Sequence, residues 1–223
     1  MKECFDQGIA FVFEGDTEKY FYINLLEFFC KKYGNWNMVE FESDIGGTYL
    51  LENAERKVLV RTNTVGTITQ VTHSANWFNN MCASRYSSKM PWKVFLCYDT
   101  DSYDEDVSKF EVGDWEILKK ALTRRENISV IDIAASADIE DVFLADLESI
   151  STFLGLERKL VPTDIPSGKK GKARMKKLYR EFAKPGIVYH EGRRALPLIQ
   201  ALNKQRLIDS EILPLDKIEK AIF

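Results

Sequence analysis

The sequence predicts an α/β fold, a mainly parallel sheet covered by helices, and three observations carry that prediction. Gly8-Ile-Ala-Phe-Val-Phe13 and Trp92-Lys-Val-Phe-Leu-Cys-Tyr98 are short continuous apolar runs, the pattern of strands buried on both faces. Stretches of helical period separate the strand-like runs, which is the order that parallel sheets with crossover helices require. The chain has 223 residues, 45% hydrophobic and 12% aromatic, with only 12 Gly and 6 Pro, enough to build a proper core. That composition excludes a disordered, collagen-like or disulfide-scaffold protein.

The elements follow in order. After the first run, Gly15-Asp16-Thr17-Glu18 punctuates the chain, and a helix is expected to about Lys32. Phe21, Leu25, Phe28 and Phe29 form its apolar stripe, and Gly34 is its stop. Asn37 to Phe41 reads as a second strand, with Asp44-Ile45-Gly46-Gly47 as its turn. Thr48 to about Ser88 reads as mainly helical, in two pieces broken near Thr62 to Gly66. Trp92 to Tyr98 is the strongest strand, with Pro91 before it and an acidic cluster after it. Asp114 to Arg125 is expected to be helical and Ile128 to Ile133 a strand. Ile139, Val142, Phe143, Leu147, Ile150 and Leu154 then form a helical stripe, with Asp138 as its cap.

Composition changes after Gly155. Residues 1–156 hold 15 Lys and Arg against 26 Asp and Glu, a balance of −11; residues 157–223 hold 16 against 8, a balance of +8. The overall charge of −3 therefore hides an acidic body with a basic tail. The body is expected as one unit, 1–156, and the tail as a mainly helical extension, 157–223, packed on it. Val161 to Gly168 is linker-like, Lys169 to Phe182 a basic helix, and Arg194 to Gln205 a further helix. There is no internal repeat or low-complexity tract.

Cys4, Cys30, Cys82 and Cys97 are widely spaced, and with only His73 and His190 beside them a zinc site is not expected. No basic segment precedes a long apolar stretch, and the longest apolar runs are strand-sized, so a cytoplasmic protein without membrane contact is expected.

The candidate chemistry lies at strand ends. Glu14 directly follows the first apolar run; Asp99 and Asp101 directly follow the strongest one. Parallel sheets gather ligands at the carboxyl ends of their strands, so these acids are candidates to converge. Clustered carboxylates repel unless a cation or a shared proton intervenes. Oxygen donors without His or Cys favour Mg²⁺ or Mn²⁺. In an extended Asp99-x-Asp101 both side chains project to one side and can reach one ion. Asp104, Glu105 and Asp106 read as turn acids, and Glu140 and Asp141 equally well as first-turn acids favoured by the helix dipole. In the tail, seven cations fall within twelve residues: Lys169, Lys170, Lys172, Arg174, Lys176, Lys177 and Arg180, with Arg193 and Arg194 beyond. Such a stripe can follow a phosphate backbone or serve as a solvated helix face.

Glu at the end of the first strand, a small loop, a long helix and then D-x-D after a later apolar strand resembles the Toprim arrangement. More narrowly, Phe13-Glu14-Gly15-x-Thr17-Glu18 is similar to small Toprim proteins of the RloB-like kind and to the nuclease half of the OLD (overcoming lysogenization defect) family. Gly46-Gly47 falls where Toprim domains carry a Gly, and Ser136 to Leu144 resembles the acidic helix start that follows D-x-D. The resemblance covers residues 8 to 155. It implies a Mg²⁺- or Mn²⁺-dependent nuclease acting on DNA or RNA, in phage defence or a mobile element. Glu14, Asp99 and Asp101 would be catalytic metal ligands, Glu140 or Asp141 would complete a second metal position, and Lys172 would stabilise transition-state charge. The basic residues of the tail would hold nucleic acid. The chain is too short for a topoisomerase or primase and has no P-loop, so a stand-alone nuclease, or one partnered by a separate ATPase subunit, is implied. The rival readings are a non-catalytic nucleic-acid- or partner-binding module and a D-x-D phosphotransferase or phosphohydrolase.

Overall fold

The computed structural model describes residues 4–42, 47–71, 73–100, 112–167 and 170–223. Six strands form one mixed sheet: β1 (Gln7–Phe13), β2 (Asn37–Glu42), β3 (Thr48–Glu52), β4 (Lys57–Thr64), β5 (Trp92–Asp99) and β6 (Ile128–Ala135). Their spatial order is β2-β3-β4-β1-β5-β6. β4, β1, β5 and β6 run parallel, and β2 and β3 add an antiparallel edge. The expectation of a mainly parallel, helix-covered sheet therefore holds.

The helices are α1 (Asp16–Tyr33), α2 (Ile68–Val71), α3 (Ser74–Phe78), α4 (Val112–Leu122), α5 (Ile139–Phe143), α6 (Leu147–Leu154), α7 (Gly171–Phe182), α8 (Leu196–Ala201), α9 (Lys204–Asp209) and α10 (Asp216–Ile222), with a π-helical turn at Asn79–Ala83.

β1 is buried along its whole length and sorts its side chains between two cores. Ile9, Phe11 and Phe13 face α1 and the C-terminal helices, while Ala10 and Val12 face α3, the π-helical turn and α4. Successive strand residues point to opposite faces, so an apolar residue at every position is what a doubly covered central strand needs. On the first face Phe11 lies 5.5 Å from Phe13 and 5.0 Å from Phe95, ring to ring. Gly8 is where Trp92 of β5 crosses: a Cβ there would stand 2.4 Å from the indole. Met175, Leu178, Leu198, Leu207 and Ile218 join the same core as Phe11, so the tail shares its interior with the body.

The helical reading of residues 48–64 is corrected: they form β3 and β4. Leu50, Leu51 and Glu52 suggest helix by composition, but Val58, Leu59 and Val60 pair with β1 and are fully buried. Asn53 turns the chain between the strands by accepting from the backbone N–H groups of Glu55 and Arg56, at 2.9 and 2.8 Å. The single helix expected over 138–154 is broken. Asp146, fully buried, leaves helical geometry and accepts from the N–H groups of Ser149 and Asn203. The helix expected over 194–205 is likewise divided, because Leu202 is extended between α8 and α9. Among the described residues, no helix is long and apolar enough to cross a membrane.

Candidate functional site: a carboxylate cleft at the strand ends

The parallel strands β1, β5 and β6 end side by side, and their first residues beyond the ladder set the floor of a cleft. Glu14 leaves β1 with its N–H donated to the Cys97 carbonyl, 3.1 Å away, while its own carbonyl accepts from Gly66 at 2.8 Å. Glu14 Oε2 in turn accepts from the backbone N–H of Asp99 at 3.2 Å, so the acid of one strand is clamped to the end of the next. Thr100 spans to β6: its N–H donates to the Ala135 carbonyl at 2.9 Å, and its Oγ1 accepts from the Ala137 N–H at 3.0 Å. Ala137 sits at φ +60°, a conformation that disfavours a Cβ by about 1–2 kcal/mol. Held this way, the chain turns abruptly from β6 into α5.

The cleft is lined by Glu14, Glu18, Asp99, Asp138 and Glu140, with Lys170, Lys172 and Glu191 from the tail, and encloses about 500 Å³. Glu18 comes from the first turn of α1, and Glu140 from the first turn of α5. Glu18, Asp138 and Glu140 are at most 5% exposed. Burial is the largest cause lifting the carboxyl of Asp99 far above the ordinary range, and the charges of Glu18, Glu140, Glu14 and Asp138 add to it. Glu18 is raised for the same reasons, burial first, then the charges of Glu140 and Glu14. Burial pushes Glu140 up to about 7, against a hydrogen bond from Tyr189 that lowers it. That bond runs from the Tyr189 hydroxyl to Glu140 Oε1 at 2.7 Å. The Oδ1 atoms of Asp99 and Asp138 are buried and have no hydrogen-bond partner among the described residues.

The tail is fastened over one side of the cleft. Lys172 and Lys176 both pair with Glu191. The Gly192 N–H donates to Thr17 Oγ1 at 2.8 Å, joining the tail to the first turn of α1. Asp138, expected as the cap of its own helix, makes no such bond; its Oδ2 accepts from the N–H of Lys172 at 3.0 Å. Asp141 accepts from the Gly171 N–H at 2.9 Å and from Arg174 at 3.2 Å. Two acids from the start of α5 thus occupy the positive N-terminal end of α7.

Of the expected site residues, the structure brings Glu14, Asp99, Glu140, Lys170 and Lys172 to one cleft. Asp141 points instead at α7, and Arg193 and Arg194 are exposed outside the cleft. Asp101, the acids at 104–106, Gly46 and Lys169 lie outside the described residues. The sequence suggested other roles for three further residues of the site, Glu18 as an N-terminal helix acid, Asp138 as a helix cap and Tyr189 as a base-stacking residue, and no ligand role for Glu191. Glu18 carried a signal, standing four residues beyond Glu14 in the first turn of α1; Tyr189 and Glu191 are too distant in sequence to have carried one. Among the described residues, no group of three or more Asp, Glu, His or Cys side chains is placed to hold a metal ion.

No protein-family model and no curated protein matches the chain. Among solved structures, it is similar to a futalosine hydrolase mutant of Helicobacter pylori strain 26695, with 11% identity and a TM-score of 0.23 over 59% of this chain and 67% of that one. It is also similar to Helicobacter pylori MTAN, with 12% identity and a TM-score of 0.23 over 60% and 68%. A third similarity is to the 5'-methylthioadenosine/S-adenosyl homocysteine nucleosidase of Campylobacter jejuni, with 12% identity and a TM-score of 0.29 over 96% and 99%. Likenesses this low assign neither a fold family nor an activity to the chain. These structures are nucleosidases and a futalosine hydrolase, not Toprim nucleases, and the expectation of a Toprim protein of the RloB-like or OLD type is corrected accordingly. With it go the cleavage of DNA or RNA and the role in phage defence or a mobile element; the two rival readings gain nothing in exchange. The tail gives a physical reason as well: Lys172, Lys176 and Arg174, expected to face a phosphate backbone, are paired with Glu191 and Asp141 of the same chain.

Proposed function

We propose that the cleft binds a divalent cation, Mg²⁺ or Mn²⁺, and serves a hydrolase acting on a small anionic substrate. The observation that carries this reading is Asp99: its Oδ1 is buried near the carboxylates of Glu14, Glu18 and Glu140 and has no hydrogen-bond partner among the described residues. Such a group must either hold a proton or face a cation. The donor set is all oxygen, the chemistry that hard cations select. Mg²⁺ commonly takes one or two carboxylates and fills its shell with water and substrate oxygens, so the lack of a three-residue group among the described residues is compatible with it.

Asp99 and Glu14 would be the ligands, with Glu14 oriented by the Asp99 N–H. A bound cation would polarise a substrate oxygen and acidify water. Glu140, with its proton affinity near neutrality and its carboxyl oriented by Tyr189, is suited to move a proton to or from a reacting group. Lys170 at the rim would offset part of the charge of an anionic substrate that enters an acidic site.

Isothermal titration calorimetry with MgCl₂ and MnCl₂ tests the cation. Saturable binding is expected, weakened on the order of a hundredfold in Asp99→Asn, which keeps the side-chain volume and removes the charge. Hydrolysis of chromogenic 4-nitrophenyl esters with anionic acyl, sulfate or phosphate groups is expected to need the cation. Cation affinity equal in wild type and Asp99→Asn overturns the reading.

A further inference from the structure

A second cavity lies on the far side of Tyr189. It is a groove of about 560 Å³ between α7 and the segment at 183–189, lined by Lys176, Tyr179 and Arg180 of α7 and by Lys184, Ile187 and Tyr189 of the segment. Lys176 and Arg180 stand one turn apart on α7, with Lys176 paired to Glu191, and Lys184 follows beyond the end of the helix. Among the described residues no acid lines the groove. The two tyrosine rings are nearly buried, 5.6 Å apart and packed edge to face at 64°, so they form a rigid base beneath the groove. Ile187, in contrast, is 45% exposed and its neighbour Val188 57%. The turn that presents them is closed by the Ile187 N–H on the Lys184 carbonyl at 3.0 Å.

We propose that this groove is a second ligand site, for a small planar aromatic anion. The cavity has the volume of a small-molecule site, apolar and aromatic at its base with a few polar groups at its edge. An aromatic body covers the exposed Ile187 and Val188, over the rigid base that Tyr179 and Tyr189 form. Its acidic group meets Arg180 and Lys184, which stand exposed at the rim. A neutral aromatic compound would leave the cations unused, and a bare oxyanion would leave the apolar floor in water. Binding in the groove does not require a cation in the cleft.

The probe is 2-naphthalenesulfonate, titrated calorimetrically into the full chain in EDTA, with inorganic sulfate and 2-naphthalenemethanol as its two halves. One-to-one binding of the sulfonate is expected, with each half weaker by about tenfold or more. In the double variant Arg180→Glu, Lys184→Glu, affinity is expected to fall at least about tenfold, while Asp99→Asn binds as wild type. Both substituted residues are exposed, and circular dichroism verifies that the double variant is folded. The proposal is overturned by absent or non-saturable binding to wild type, by equal binding of the neutral analogue, by an unchanged double variant, or by loss of binding in Asp99→Asn.

Discussion

Glu140 shows how a single carboxyl is tuned by its surroundings. It is 3% exposed, and burial sets its proton affinity near pH 7, above the ordinary value of 4.5. Between these two pH values the folded protein keeps a proton that the unfolded chain has released. Stability from this group is therefore complete below about pH 4.5 and is lost as pH rises through about 7, a change on the order of 3 kcal/mol. Glu140→Gln removes the titration, so chemical denaturation at a series of pH values from 5 to 8 should give a flatter profile than wild type in EDTA. An equally steep profile in the variant would place the pH dependence elsewhere. At this scale the sequence was informative where chemistry is local. Glu14, Asp99 and Glu140 were legible because each follows a strand or opens a helix. Tyr189 was not, since 49 residues separate it from Glu140 and only the folded tail brings them together.

Among the elements, the junction of α5 and α7 is the most tightly specified. A Cβ on Gly171 would stand 2.3 Å from the backbone N of Asp141 and 2.5 Å from Asp138 Oδ1. Gly171→Ala brings a gain in helix propensity of up to about 1 kcal/mol, but the backbone it meets cannot turn aside. Overpacking costs about 1–3 kcal/mol and should prevail, giving a net loss of stability in urea unfolding. A variant as stable as wild type would show that α7 shifts without cost. The misreading of residues 48–64 belongs to this scale too. Leu50, Leu51, Glu52, Ala54, Glu55, Arg56 and Lys57 are good helix formers, yet propensity differences of tenths of a kcal/mol per residue yield to the ladder of β3 on β4, itself paired with β1, and to the turn made by Asn53. β1 and β5 were legible because burial on both faces leaves a continuous apolar run, which no turn chemistry imitates.

Across the whole molecule, the segregation of charge along the chain is partly undone by folding. The basic α7 lies against acids of α5, and Arg206 of α9 pairs with Asp146 and Glu148. Apolar residues follow the same course, since α7 to α10 complete the core on one face of the sheet. Residues 1–156 alone would expose Phe21, Leu25 and Phe143 where the tail now packs, and that fragment is expected to lack cooperative thermal unfolding by circular dichroism. A sharp transition in the fragment would show that the tail adds little to the core. The sequence reading marked the change at residue 156 by composition. It expected the basic tail to bring positive charge to the acidic site, but not which cations pair with which acids, because pairing between distant segments leaves no local periodicity.

Tyr189 stands as a partition between two chambers, its hydroxyl in one and its ring in the other. Free-energy coupling across such a wall is reciprocal. A guest that tilts the ring loosens the hydroxyl from Glu140 and makes that acid hold its proton more firmly; the ionised acid, by the same measure, braces the ring and sets how readily the guest is admitted.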